Sequence, residues 1–322
     1  MLDQNVLNDL SRGDEVNHFL LVRKCELKTG RNNKNYLNLE LGDSSASLPA
    51  NVWDNVDYIS SYLTVGIIVK VEGTIDEYQG QPQIRIKEIR KLSPKENVSI
   101  DDFLPISKRN PEEMEKQLWG RIEKIENPFL KQLLYALLEG ESYRKFTRAP
   151  AGKSWHHSYI HGLLEHTLEI VEICDLTARF HPEINRDLLI TGAILHDFGK
   201  TKELTFDSTF DYSDEGRLLG HIVIASMDIK EKMNTIKNFP EGLKNQLLHL
   251  ILSHQGKLEQ ASPVEPKTLE AIVLYQADEI SAKANAYKSA IEADAKGENR
   301  WTKFLHLINS TLYIPEGFNK QK

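Results

Sequence analysis

The chain has 322 residues, of which 40% are hydrophobic and 27% are charged, and its formal net charge is -7. This length exceeds the usual size of a single domain, so we expect two domains, each large enough to bury its own core. The negative charge excludes a globally basic nucleic-acid-binding protein, so an anionic substrate has to meet local positive charge or metal ions.

Cysteine usage and the N-terminal segment predict the compartment. Cys25 and Cys174 are too few for a disulfide framework or a thiolate zinc site, which agrees with a reducing environment. Residues 1–15 are polar and do not resemble a signal peptide. The longest apolar stretches, such as residues 63–69, fall short of the roughly 20 residues of a bilayer span. We therefore predict a cytoplasmic protein with no membrane partner.

The first part of the chain has the alternation that is typical of β-strands. From about residue 16 to 92, apolar and other residues alternate with a period of two, most clearly at 36–41 and 67–72. Turn-forming segments separate these runs at residues 29–35, 42–45 and 77–83. The pattern predicts about five short antiparallel strands in a small closed or nearly closed barrel, within a domain of residues 1–95.

Helical spacing replaces this alternation after a proline-containing linker, residues 96–108. The predicted second domain, residues 109–322, is entirely helical, because apolar residues recur three and four apart. The predicted helices are Glu112–Glu123, Pro128–Leu138, Gly162–Arg179, Arg186–Leu195, Leu218–Met233, Glu241–Ser253 and Thr268–Ala293.

Polar side chains of the kind that bind metals interrupt the apolar faces or ends of five of these helices. They are His166, His196, Asp197, His221, His254 and Asp278. Taken singly, each is typical of a hydrogen-bonded core histidine or of a helix cap. Together they fit the way helical bundles build metal sites, in which each rigid helix fixes one ligand. The adjacent pair His196 and Asp197 could place a bridging carboxylate beside an imidazole.

The order of these residues carries a resemblance to a known family. His166, then "HD" at 196–197 followed by "FGK", then a distant Asp278 resemble the HD superfamily of metal-dependent phosphohydrolases. With the preceding barrel, and with "VWDN" at 52–55 and "HHSYIHGLLEHT" at 156–167, nearly the whole chain resembles the YhaM family of 3'-5' exoribonucleases. That resemblance implies an OB-fold barrel followed by an all-α HD domain.

The resemblance also implies roles for the polar residues. It assigns His166, His196, Asp197 and Asp278 to one metal ion, with Asp197 bridging to a second ion that His221 and His254 hold. This chain departs from the family pattern at two positions. Gln255 stands where the family often has a second histidine, and His161 stands where glycine is frequent.

The chemistry that the resemblance implies is phosphodiester hydrolysis by metal-activated water, with two divalent ions clamping the attacking and leaving oxygens. Imidazole and carboxylate ligands suit manganese best, with iron as an alternative and magnesium less favoured. Asp197 and Lys200 are the predicted catalytic residues. Lys200 follows His196 and Asp197 closely enough to reach a phosphate oxygen. His156 and His157 are predicted to contact substrate, although a helix-capping role fits them equally.

The barrel is the predicted binding platform for single strands. OB-folds stack bases on aromatic side chains while basic groups follow the backbone. The candidate aromatic contacts are Tyr36 and Trp53, with Tyr78 as a third, and the candidate backbone contacts are Arg31, Lys34, Arg85 and Lys87. Each of these residues is also compatible with ordinary packing or with a solvated strand face.

The function predicted from these features is metal-dependent 3'-5' exonuclease activity at the 3' ends of single-stranded RNA, with single-stranded DNA as a second candidate substrate. Two alternatives stay open at this point. One is an HD phosphohydrolase of small nucleotides, in which the barrel is regulatory. The other is a non-catalytic protein that binds single-stranded nucleic acid.

Overall fold

The computed structural model describes residues 4–30, 33–295, 299–306 and 308–318. The chain divides into two compact units, Met1–Ile106 with Phe206–Thr209, and Ser107–Thr205 with Phe210–Lys322. The change from one unit to the other falls inside the predicted linker, 96–108. The domain boundary at residue 95 stays a prediction.

The first unit is a closed five-stranded barrel, as the alternation predicted. Its strands are β1 (Glu15–Thr29), β2 (Asn35–Gly42), β3 (Ser47–Val52), β4 (Ile68–Tyr78) and β5 (Gln81–Lys91). They pair in the order β1-β2-β3-β5-β4, and β4 returns to β1. A short helix, α1 (Val56–Ser60), follows β3. All pairs are antiparallel except β3 with β5, which is parallel and corrects the expectation of a purely antiparallel barrel.

Alternation places one face of each strand in the barrel core. Leu37, Leu39 and Leu41 of β2 are buried, as are Val69 and Val71 of β4. Because successive side chains of a strand point to opposite faces, the residues between them lie on the outside of the barrel. This register turns the polar and aromatic residues of β2, β3 and β5 outward, where a ligand could reach them.

The second unit is built from helices, as predicted. In its described part these are α2 (Pro111–Glu123), α3 (Pro128–Leu137), α4 (Gly140–Arg148), α5 (Gly162–Phe180), α6 (Arg186–Leu195), α7 (Lys200–Glu203), α8 (Asp214–Thr235), α9 (Glu241–Ser253) and α10 (Leu269–Asp294). A search of the described residues finds no helix that is both long and apolar enough to cross a membrane.

The predicted helix bounds agree closely with the structure, and the differences have local causes. The helix α4 was missed because its sequence is mostly polar and only Phe146 and Thr147 are buried. The helix α7 has a single turn, which is too short to show a period. A two-stranded sheet, β6 (Leu204–Thr205) with β7 (Asp211–Tyr212), adds a small β element to the domain that was predicted to be all-α.

Candidate metal centre and nucleic-acid interface

The six predicted metal ligands converge in the second unit. His166 lies in α5, His221 in α8 and Asp278 in α10, while His196 and His254 directly follow α6 and α9. The apolar helices α6 and α9 pack together, and each ends where its histidine enters the site. His166, His196, Asp197 and His254 are all at most 2% exposed.

Asp197 lies at the centre of the cluster, and its two carboxylate oxygens face different histidines. Oδ2 lies 3.3 Å from Nε2 of His196 and 3.6 Å from Nε2 of His166. Oδ1 lies 3.3 Å from Nε2 of His221 and 3.6 Å from Nε2 of His254. Asp278 completes the first side, because its Oδ1 lies 3.1 Å from Nε2 of His166. The cluster thus contains two groups of ligand atoms that share one carboxylate.

Two glycines shape the backbone that brings His221 to this cluster. Gly220 has φ of 72°, and it interrupts α8 with a kink directly before His221. Gly199 lies so close to α8 that an added Cβ would come within 2.0 Å of the carbonyl oxygen of His221. A side chain at either position would therefore displace this ligand or strain the backbone.

Hydrogen bonds orient three of the imidazoles. A carbonyl oxygen only accepts, so Nδ1 of His196 donates to Ala193 (2.8 Å) and Nδ1 of His254 donates to Ile251 (2.7 Å). Nδ1 of His221 lies 3.1 Å from the carboxylate of Glu203. Each contact leaves the Nε2 lone pair facing Asp197. Such contacts to the outer nitrogen fix the tautomer of metal-binding histidines.

The electrostatics of the site favour the neutral forms of His166 and His254 and the charged forms of Asp197 and His196. Burial lowers the pKa of His166 to about 4, and burial also lowers the pKa of His254. Burial alone would raise the pKa of Asp197, but neighbouring Lys200 and His196 hold it well below the usual value. Burial also opposes the charged form of His196, yet Asp197 and Asp278 outweigh it and raise the pKa of that imidazole.

This donor set fits a divalent metal. Nε2 of His166 and Nε2 of His196 are buried and make no well-aligned hydrogen bond to any described residue, although the nearest carboxylate oxygens lie 3.1 Å and 3.3 Å away. The ligand atoms of His166, His196 and Asp197 lie within 4.8 Å of one another, and those of Asp197, His221 and His254 do so as well. A buried lone pair without a donor is costly. A cation held between imidazoles and carboxylates would satisfy the lone pairs and neutralise the negative charge.

Lys200, His156 and His157 also lie at the cluster. Nζ of Lys200 is 2.6 Å from Oδ2 of Asp197, so in this structure the buried ammonium pairs with the central carboxylate. The ring of His156 lies 4.8 Å from the ring of His166, and His157 is buried beside both. Contact of these three residues with a substrate stays a prediction.

The barrel carries an open groove that contains four of the seven predicted nucleic-acid contacts. Tyr36 and Trp53 stack with ring centroids 4.3 Å apart, and Tyr78 and Arg85 line the same groove. Trp53 is 57% exposed and Tyr78 is 63% exposed, so both offer ring faces to a ligand. The remaining lining is rich in amide side chains, namely Asn38, Asn51, Gln79, Gln81 and Gln83.

The other three predicted contacts are placed differently. Lys87 lines a second cleft together with Glu15 and Glu72, and Arg85 lines this cleft as well as the groove. Lys34 is exposed in the turn before β2. Arg31 lies outside the described residues. The sequence indicated basic residues that could bind the nucleic-acid backbone, but it did not show which of them line the same groove as the aromatic residues.

Comparison with known proteins identifies the family. An HD domain model matches residues 163–283, and a model of the OB-fold nucleic acid binding domain matches residues 21–92. Proteins named 3'-5' exoribonuclease YhaM are similar to the chain over nearly its whole length. Those of Bacillus subtilis and Oceanobacillus iheyensis are each 34% identical, covering 94% and 96% of this chain and 96% of each relative. The protein of Listeria innocua is 33% identical, covering 96% of this chain and 98% of that protein.

The chain belongs to the YhaM family of 3'-5' exoribonucleases. The resemblance inferred from the sequence motifs is thereby confirmed, as is the order of an OB-fold barrel and an HD domain.

The structure also shows what surrounds the two residues, His161 and Gln255, at which the chain departs from the YhaM family pattern. His161 has φ of 67°, a conformation that glycine adopts without strain, and its Nδ1 lies 2.6 Å from the carbonyl of Thr147. The amide nitrogen of Gln255 lies 3.4 Å from Nε2 of His221.

Sequence reasoning missed the residues that hold the ligands in place. Glu203 contacts His221 through both the backbone amide and the ring, and Ser281 contacts the ring of His166. Glu169 in turn accepts a hydrogen bond from Ser281. A weak signal was present, because Glu169 and Ser281 each follow a predicted ligand by three residues and therefore share its helix face.

Proposed function

We propose that this chain is a metal-dependent 3'-5' exonuclease that hydrolyses single-stranded RNA by metal-activated water, with single-stranded DNA as a second substrate. The observation that carries the proposal is the pair of metal-donor triads that share Asp197, in which every residue except the partly exposed His221 is buried. Relatives that are 34% identical over nearly the whole chain are named 3'-5' exoribonucleases, which supports the same reaction.

In this proposal His166, His196, Asp197 and Asp278 hold one divalent ion, and Asp197, His221 and His254 hold a second. When bound, such ions supply a nucleophilic water at neutral pH and neutralise charge on the phosphodiester. Manganese suits these nitrogen-rich ligands best, with iron as the alternative. Gln255 offers an amide in place of a further imidazole, so we expect the second ion to be the more weakly held.

The remaining residues of the site have roles that their positions support. Lys200 is a buried ammonium next to Asp197, so it can bind a phosphate oxygen as a point charge. His156 and His157 line the side of His166, and we propose that they contact the substrate. The apolar helices that pack around the ligands exclude bulk water, which strengthens each electrostatic contact.

The barrel groove is the proposed binding site for the single strand. Tyr36, Trp53 and Tyr78 provide stacking surfaces, and Arg85 provides a cation for the backbone. We place Lys34, Lys87 and Arg31 among the backbone contacts on the sequence argument alone.

The proposed location is the cytoplasm, which agrees with the two free cysteines, Cys25 and Cys174.

The proposal is tested by incubating purified protein with 5'-labelled single-stranded RNA and manganese. A ladder of products that shortens from the 3' end supports it. Parallel reactions contain magnesium, ferrous iron or a chelator, and single-stranded DNA of the same sequence. A further reaction contains small nucleotides, and their hydrolysis with the RNA left intact would favour the nucleotide phosphohydrolase instead. Tight binding of RNA without hydrolysis in any metal would favour the binding protein.

Trp53→Ala should weaken the binding of single-stranded RNA without slowing the chemistry. Loss of one stacked base costs about 1 to 3 kcal/mol, so the dissociation constant should rise by roughly 5-fold to 150-fold. Binding is measured by fluorescence anisotropy in the presence of a chelator. Hydrolysis of a small activated phosphodiester should match that of the wild type.

The matched control for this prediction is Tyr58→Ala. Tyr58 is an aromatic residue of the same unit that is 72% exposed and does not line the groove. It should leave RNA affinity unchanged. Equal weakening by Trp53→Ala and Tyr58→Ala would show that the loss is not due to stacking in the groove.

A further inference from the structure

A chain of hydrogen bonds leads from the ligand His166 to an acidic residue that is not part of the metal cluster. Oγ of Ser281 lies 3.0 Å from Nδ1 of His166 and 2.6 Å from Oε2 of Glu169. His166 and Ser281 are buried, whereas the side chain of Glu169 is 37% exposed. Ser281 is in α10 and the other two residues are in α5, so these hydrogen bonds also join two helices of the site.

The direction of these hydrogen bonds follows from counting protons. A serine hydroxyl has one proton to donate, and an ionised carboxylate only accepts. Ser281 therefore donates to Glu169, and its oxygen is left to accept from Nδ1–H of His166. The neutral imidazole then carries its proton on Nδ1. Its lone pair is on Nε2, which faces Asp197 and Asp278.

His166 differs in this respect from the other proposed imidazole ligands. His196 and His254 contact backbone carbonyls, and His221 contacts a carboxylate directly. All three partners are acceptors, so the tautomer is fixed at the first contact. A hydroxyl can either donate or accept. The contact between Ser281 and His166 fixes a tautomer only if a further group takes the hydroxyl proton.

We propose that Glu169 is a positioning residue that sets the tautomer of His166 through Ser281 and so keeps Nε2 available as a metal ligand. Without the carboxylate, the hydroxyl is free to donate to Nδ1, and the imidazole proton then moves to Nε2, where it blocks metal binding. The inference rests on the proposed metal centre, but it does not depend on RNA being the substrate.

The first test is manganese affinity, measured by titration calorimetry on full-length protein freed of metal. Ser281→Ala and Glu169→Ala should each weaken binding by roughly 10-fold to 100-fold, as expected for contacts that orient a ligand. The double variant should be no weaker than either single variant, because both act through one chain of hydrogen bonds. Additive losses would overturn the proposal.

Two comparisons between variants distinguish the hydrogen bonds that join His166, Ser281 and Glu169 from other effects of the substitutions. Glu169 Oε2 also lies 3.4 Å from Nε2 of His157, whereas Ser281→Ala leaves that contact in place. A loss with Glu169→Ala but not with Ser281→Ala would therefore assign the effect to His157 and refute the role of Ser281. Thr191→Val is the matched control, because it removes a buried hydroxyl that lacks a hydrogen-bonding partner among the described residues. It should bind manganese as the wild type does.

The second test reads the tautomer itself in metal-free protein, from the ring ¹⁵N chemical shifts of labelled histidine. His166 should have its proton on Nδ1 in the wild type and should gain a population with the proton on Nε2 in Glu169→Ala. Unchanged shifts in that variant would reject the inference. If the wild type bound no manganese, the proposed function would fail, and the shifts would still decide the tautomer separately.

Discussion

Replacing Asp197 with asparagine should lower RNA hydrolysis on the order of 10³-fold or more, because removal of a single preorganised hydrogen-bond donor from an enzyme's active site already costs about 10²- to 10³-fold. The loss at Asp197 should be larger than for a single contact, because its two carboxylate oxygens face two different pairs of histidines. Asparagine has nearly the same shape but is uncharged, and it supplies only one carbonyl oxygen as a ligand. The measurement is single-turnover cleavage of 5'-labelled RNA at saturating manganese.

The same substitution should also destabilise metal-free protein, and this effect has to be separated from catalysis. Nζ of Lys200 lies 2.6 Å from Oδ2 of Asp197, and both side chains are buried. Removing one partner of a buried ion pair costs about 3 to 5 kcal/mol of the free energy of unfolding, because the other charge stays buried. The double variant Asp197→Asn with Lys200→Met removes both charges. It should recover part of that stability and remain inactive.

A matched control is Asp175→Asn. Asp175 is a buried carboxylate of α5 that pairs with Arg121 and Arg186 and is not one of the proposed ligands. This variant should lose stability but retain activity per folded molecule, as measured by circular dichroism and the cleavage assay. If Asp197→Asn cleaved RNA at a rate close to that of Asp175→Asn, Asp197 would have no bridging role.

His254→Asn should reduce the bound metal from about two ions per chain to about one and lower RNA cleavage by roughly 10²-fold. His254 contacts Oδ1 of Asp197, on the side of His221, whereas His166 and Asp278 lie on the other side. Asparagine retains an N–H near the position of Nδ1, so the hydrogen bond to Ile251 can persist while Nε2 is lost. One group of donors should therefore remain intact.

Elemental analysis of dialysed protein, paired with a manganese titration of activity, measures both effects. His249→Asn is the matched control, because His249 is in the same helix but its Nε2 accepts from the backbone of Lys267 instead of facing the cluster. That variant should keep wild-type metal content. Equal metal content in His254→Asn and the wild type, or full activity, would remove His254 from the site.

Much of the proposed metal centre could be predicted from the sequence because the ligands are exceptions to a strong local pattern. Apolar spacing gave the helices, and histidines on apolar faces or at helix ends stood out against it. The reason is energetic, since a buried imidazole or carboxylate is costly without a partner. The order of the ligands along the chain then matched a known family, which the comparisons confirm.

The contacts that orient the ligands could not be predicted in the same way. Glu203 is 18 residues from His221, and Ser281 is 115 residues from His166. Serine and glutamate are common on helices, so neither contradicts its local pattern. Their roles depend on which helices pack together, and helical periodicity gives a face but not its neighbour.

In the barrel, too, some features could be predicted from the sequence and others depended on the tertiary structure. Alternation determined which residues of each strand enter the core, because the side-chain period of a strand is two. It did not determine that β3 and β5 pair in parallel and close the barrel. Nor did it determine that Tyr36, Trp53 and Tyr78 share a groove while Lys87 lies in another cleft, with Arg85 lining both. The sequence by itself determined the elements, their buried faces and the ligand types, because these depend on local periodicity and on the cost of burying polar groups. Only the tertiary structure decided which carboxylate oxygen faces which histidine and which aromatics meet, because these depend on how distant elements pack.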